Sequence, residues 1–95
     1  MVFDLSQVTG LGEYTTKSEK DRKLYYRGQH PFLVLHNNTI ELRCDRQLAE
    51  LLIAQYESVM ESRYYGKGGI EIVLAGQLDS HELADLVRLS YNLTS

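Results

Sequence analysis

Seven side chains in this sequence could be brought onto one side of a sheet by its hairpins to hold a polyanion: Arg22, Lys23, Arg27, Arg43, Arg63, Tyr64 and Lys67. Guanidinium and ammonium groups neutralise phosphates, and an outward tyrosine ring offers a stacking surface. The cations are unevenly spread. Residues 17–46 carry seven Lys/Arg (Lys17, Lys20, Arg22, Lys23, Arg27, Arg43, Arg46) against four acids (Glu19, Asp21, Glu41, Asp45), a balance of +3. Residues 47–95 carry three (Arg63, Lys67, Arg88) against seven acids, a balance of -4. The asymmetry marks either one basic face or an ordinary solvated surface. The net charge of -3 requires that any phosphate-binding surface be a clustered one.

Other chemistries are weaker in the sequence. Gly66-Lys67-Gly68-Gly69 invites a phosphate-loop reading, but no Lys-Ser or Lys-Thr follows the second glycine and no helix opens there. It reads instead as a hairpin tip, which is compatible with a cationic wing touching a nucleic-acid backbone. His30, His36, His81 and Cys44 do not stand at zinc-site spacing, so no metal is expected. Cys44 falls on the inward side of an alternating strand and reads as a small apolar residue. Glu41 and Glu71 alternate with apolar neighbours and are expected to face solvent. Tyr25-Tyr26 and Tyr64-Tyr65 are adjacent pairs, and in a strand one of each pair points outward. No constellation for acid–base or nucleophilic catalysis is present. The chain reads as non-enzymatic, with no cofactor.

The elements that must position these side chains follow from the periodicities. Leu24-Tyr25-Tyr26-Arg27 is a strand ended by Gly28, and Pro31 opens the next, Phe32-Leu33-Val34-Leu35. Asn37-Asn38 suits a two-residue turn with positive φ. Ile40, Leu42 and Cys44 alternate with Glu41 and Arg43, the period of a strand with one buried face. Asp45 is placed as an N-cap, and Leu48, Leu51, Leu52 and Tyr56 recur at helical spacing. A second hairpin runs from Val59 to Leu74. Asp79 and Glu82 stand three apart as a capping box before the stripe Leu83, Leu86, Val87, Tyr91. The order is β-β-β-α-β-β-α: an α+β fold, an antiparallel sheet with two covering helices. Residues 1–20 read as a loosely ordered arm, with the charged run Lys17–Lys23 as an exposed loop.

Ninety-five residues make one domain, 1–95, and an apolar fraction of 43% argues against disorder. The single cysteine excludes an intrachain disulfide. With no basic n-region or long apolar stretch at the start, a cytoplasmic protein is expected. No apolar run approaches the ~20 residues of a membrane helix, so no membrane partner is expected.

Several segments together resemble the MmcQ/YjbR family. They are Pro31-Phe32 entering a strand, Leu42-Arg43-Cys44-Asp45 before Leu48-Ala49-Glu50, and Glu57-Ser58-Val59-Met60. The run from Tyr64-Tyr65-Gly66-Lys67-Gly68-Gly69 through Ile70-Glu71-Ile72-Val73-Leu74-Ala75-Gly76 follows, then Glu82 to Ser90-Tyr91. The resemblance covers roughly two thirds of the chain, from about Gly28 to Leu93. It implies a double-wing, frataxin-like architecture, grouped as DNA-binding-like by fold, without catalytic residues or cofactor. This chain has Gly69-Ile70 where relatives have a His-Trp pair. It also lacks the full N-terminal helix of relatives, and a homodimer would compensate for the surface left uncovered.

Two readings of function result. The first is a non-enzymatic module that binds DNA or RNA through wing hairpins and a basic face, using the seven residues named above. The second is a protein-interaction or self-association module with no nucleic-acid role. The acidic C-terminal half, the tyrosines and the shortened N-terminus motivate it.

Overall fold

The computed structural model describes residues 3–94 of the chain. A 3-10 turn, Leu5–Gln7, precedes strands β1 (Thr15–Ser18), β2 (Lys23–Arg27), β3 (His30–Leu35) and β4 (Thr39–Arg43). Helix α1 (Arg46–Gln55), strands β5 (Val59–Ser62) and β6 (Gly66–Val73), and helix α2 (Ser80–Leu93) complete the fold. The six strands form one antiparallel sheet in the order β1-β2-β3-β4-β6-β5. The α+β class with two covering helices is as the periodicities predict. The element order is not, because a strand, β1, stands where an arm and a charged loop are expected.

Residues 1–20 are therefore not a loose arm throughout. Leu5 is buried in the core, and β1 pairs with β2 from Thr15↔Tyr26 to Ser18↔Lys23. Between these points α2 holds the chain. Arg88 Nη1 donates to the Thr9 carbonyl at 3.0 Å, and the Tyr91 hydroxyl donates to the Glu13 carbonyl at 2.9 Å. The part of the expected arm at positions 1–2 lies outside the described residues.

The core lies between the helices and one face of the sheet. Leu33, Ile40, Leu42, Ile70 and Ile72 meet Ala49 of α1 and Leu83, Val87 and Tyr91 of α2. The register slips between Tyr25 and Tyr26, so that Tyr25 faces Leu33 while Tyr26 faces Pro31. Phe32 is the extra residue, a β-bulge, and it joins Leu33 in the core with its ring 5.0 Å from that of Tyr91. Five residues of the expected helical stripes are less buried than their spacing predicts. Leu48, Leu52, Tyr56 and Leu86 pack only at the rim of the core, and Leu51 is 63% exposed.

Local signals resolve unevenly. The Asp79–Glu82 capping box forms, with Glu82 N donating to Asp79 Oδ1 at 2.9 Å and Asp79 N to Glu82 Oε1 at 3.2 Å. Asp45 occupies the N-cap position of α1 but its side chain makes no capping hydrogen bond. Asn37 and Asn38 sit at the β3–β4 turn, closed by His36 N donating to Thr39 O at 2.8 Å. Neither adopts positive φ: among the described residues only glycines do. Gly66-Lys67-Gly68-Gly69 is not the hairpin tip but the start of β6, and the tip is Arg63-Tyr64-Tyr65. No helix among the described residues is long and apolar enough to cross a membrane.

Candidate functional site

Both helices cover one face of the sheet. The opposite, open face is built from the alternate residues of the same strands. One row of register partners crosses it: Lys17, Leu24, Val34, Glu41, Glu71 and Met60. Leu24 and Val34 are buried although no helix lies over them. Glu41 and Glu71, expected to face solvent, are 1% and 2% exposed. An ionised carboxylate survives such burial only with charged or hydrogen-bonding partners.

The β5–β6 turn, with His36 just after β3, supplies those partners. It folds back over β6 and reaches β4. Glu41 Oε1 accepts from the Ser62 hydroxyl at 2.7 Å and from the Tyr64 amide at 2.8 Å, and Oε2 lies 2.6 Å from His36 Nε2. Burial pushes the Glu41 carboxyl up, but the bonds from Ser62, Tyr64 and His36 together outweigh it and hold the group below its ordinary value. Glu71 receives a bidentate clamp from Arg63, Nε to Oε1 at 3.0 Å and Nη2 to Oε2 at 2.8 Å. The hydrogen bond and charge of Glu71 raise the Arg63 guanidinium further above its already high value.

The turn also lays two aromatic rings on this face. Tyr64 and Tyr65 are turn residues, not strand residues, so they do not point to opposite sides; their rings meet edge-on at 4.9 Å. The Tyr65 hydroxyl donates to the Pro31 carbonyl at 2.9 Å, and burial raises its pKa. Gly69 makes room for this ring, since a Cβ there would lie 2.6 Å from Tyr65 Cβ and from the Leu42 carbonyl. Arg22 lies over the Tyr64 ring at 5.4 Å and Arg43 over the Tyr65 ring at 5.3 Å. The result is one contact chain, Arg22–Tyr64–Tyr65–Arg43. Arg43 Nε is buried without a hydrogen-bond partner, and no carboxylate among the described residues pairs with its guanidinium.

The seven residues singled out from the sequence therefore divide. Arg22, Arg43, Arg63 and Tyr64 gather on the open face. Lys23 turns to the helix side of β2, with its ammonium over the Tyr25 ring at 5.4 Å. Arg27 stacks on Tyr91 of α2 at 4.4 Å and donates to the Tyr91 carbonyl at 2.9 Å. Lys67 lines a groove beside α1 with Arg46, Glu50, Ile53 and Glu61. The expected single basic face through all seven does not exist, because strand alternation and the β6 start direct these three elsewhere. Sequence reasoning missed Glu41, Glu71, Ser62 and Tyr65 as parts of the site. The signal available was the pair of matching triplets, Ile40-Glu41-Leu42 and Ile70-Glu71-Ile72, each with an acid opposite a core-lining pair.

Cys44 is buried, and burial, with the Asp45 charge, pushes its thiol up to about 11. No group of three or more His, Cys, Asp or Glu among the described residues could hold a metal ion.

No family model matches the chain, and no curated protein matches it in sequence. Among solved structures the chain is similar to the Deinococcus radiodurans protein DR2400, with a TM-score of 0.78 at 18% sequence identity. The likeness covers 94% of this chain and 73% of that one, whose domain is described as DUF419, the MmcQ/YjbR family. At that identity the likeness establishes the fold.

Proposed function

We propose that this chain is a non-enzymatic binding module whose open sheet face takes a nucleic-acid backbone. The observation that carries the reading is a segregation of charge. The open face presents Lys17, Arg22, Arg43 and Arg63; Glu19 in the β1–β2 turn pairs with Arg22 at 2.7 Å, and the two acids on the strands of this face are buried and already engaged. The remaining strand and helix acids collect on the other side, as Asp45, Glu50, Glu61, Asp79, Glu82 and Asp85, interspersed with the cations there. A phosphate chain is attracted to the first side and repelled by the second, so a net charge of -3 does not oppose binding in one orientation. The buried carboxylates lack the access that acid–base work on a substrate requires, which supports the non-enzymatic part of the reading.

Fluorescence anisotropy with labelled DNA and RNA at ~50 mM salt tests it, since electrostatic binding is strongest at low salt. Lys17→Ala with Arg43→Ala should weaken binding by a similar factor for every sequence, because phosphate contacts position without specifying. Arg27→Ala with Lys67→Ala should leave it unchanged. Absence of binding to any nucleic acid would refute this reading. It would favour the protein-interaction alternative, for which the exposed edge strand β1 and exposed Met60 and Leu51 speak.

A further inference from the structure

We infer that the ligand of the open face is a single strand, held by a base stacked on Tyr64 with its neighbouring phosphates on Arg22 and Arg43. This rests on the nucleic-acid reading above and specifies the substrate class within it. Tyr64 differs from Tyr56, Tyr65 and Tyr91. The hydroxyls of Tyr56, Tyr65 and Tyr91 donate to Glu82, Pro31 and Glu13, and these rings are built into the fold. Tyr64 is 40% exposed, and its hydroxyl makes no hydrogen bond among the described residues. Its backbone is nevertheless fixed. The Tyr64 amide donates to Glu41, the Tyr65 amide donates to the Ser62 hydroxyl at 2.9 Å, and the Tyr65 ring wedges the turn against β3 and β4. An exposed ring on a fixed backbone is what a stacking platform requires, since little ordering is left to be done on binding.

The rest of the face fits the same ligand. Arg22 and Arg43 flank the tyrosine pair at opposite ends of the contact chain, and guanidinium planes stack on bases as well as pairing with phosphates. Arg43 is the one without an ion-pair partner among the described residues. A duplex is a poor fit. Groove readers insert a helix or a free ribbon. Here both helices lie on the far side of the sheet among acids, and the β5–β6 tip is folded down onto the open face. A duplex also hides its bases inside its stack, where the Tyr64 ring cannot reach them.

The test compares a labelled oligo(dT) strand, an oligo(rU) strand and a duplex of the same length, on wild type, Tyr64→Ala, Tyr64→Phe and Arg43→Ala. Single strands should bind at least about tenfold tighter than the duplex. Tyr64→Ala should weaken single-strand binding by roughly 5- to 150-fold, the range of one lost base stack. Tyr64→Phe, which keeps the ring, should bind like wild type. Thermal melts of the Tyr64 variants matching wild type would show that the fold is intact. Equal binding of duplex and single strand, with Tyr64→Ala neutral and Arg43→Ala weakening both, would overturn this inference while leaving the nucleic-acid reading standing. No binding of any of the three would overturn both.

Discussion

Glu41 is the residue on which the open face turns. Its carboxylate ties β4 to the β5–β6 turn and to His36 at once. Removing the charge leaves buried donors with a weaker acceptor or none, at a cost of ~1–3 kcal/mol. Glu41→Gln should show that loss in urea melts at pH 7. The folded-state pKa of Glu41 is lowered, so its contribution is complete above the unfolded value of about 4.3 and is lost as pH falls through that value toward the folded one. The stability difference between wild type and Glu41→Gln should therefore shrink below about pH 5. A constant difference down to pH 3 would refute the role assigned to the carboxylate. Cys44 makes the opposite case, a nucleophile disarmed by its surroundings. With the thiol held near 11 and buried, reaction with a thiol reagent at pH 8 should be slow in the native protein and fast in denaturant. Fast native labelling would contradict the burial.

The β5–β6 hairpin is the element that converts a bare sheet face into a surface. Its tip is short, and it crosses β6 because Ser62 and Tyr64 find an acceptor on β4. The crossing needs space at Gly69. Gly69→Ala would drive a methyl into Tyr65 Cβ and the Leu42 carbonyl, both at 2.6 Å. Neither atom is the free end of a flexible chain, so the substitution should cost ~1–3 kcal/mol as overpacking does. Gly68→Ala meets only the Tyr65 carbonyl at 3.7 Å and should change stability by less than ~0.5 kcal/mol. Chemical denaturation of the two variants separates them. Equal stabilities would mean that the Tyr65 ring does not occupy the place described.

At the scale of the molecule, the sheet divides the charges of a chain that is acidic as a whole. The open face can offer at most four cations to a phosphate chain, Lys17, Arg22, Arg43 and Arg63, and Arg22 and Arg63 are already committed to Glu19 and Glu71. With a slope near -0.7 per phosphate neutralised on a single strand, log K against log salt should fall with a slope of about -1.5 to -3. A steeper slope would require the helix-side cations to take part, against the division of faces. Binding independent of salt would remove phosphates from the interaction altogether. Much of this architecture is legible in the sequence and its charge map is not. Alternation along β4 and β6 and the spacing of Leu83, Val87 and Tyr91 specify which residues enter the core. The side on which Lys23, Arg27 or Lys67 emerges depends on the register of strands that meet only in the fold.

The sequence by itself determined the features that depend on neighbours along the chain. The α+β class, the core faces of Ile40/Leu42 and Ile70/Ile72, the capping box at Asp79–Glu82 and the burial of Cys44 are of this kind. Each follows from a period or a spacing within a few residues. Tertiary structure alone decided the rest. Strand β1 is a strand because β2 offers it an edge, not because Thr-Thr-Lys-Ser carries an apolar pattern. Glu41 and Glu71 occupy positions that alternation assigns to solvent, and they are buried because a turn from elsewhere in the chain closes over them. Tyr64 and Tyr65 share a face because that turn breaks the alternation. The physical reason is the same in each case. Periodicity records which side of an element faces the core, but whether the other side meets water or protein depends on contacts between residues far apart in sequence, and those form only when the chain is folded.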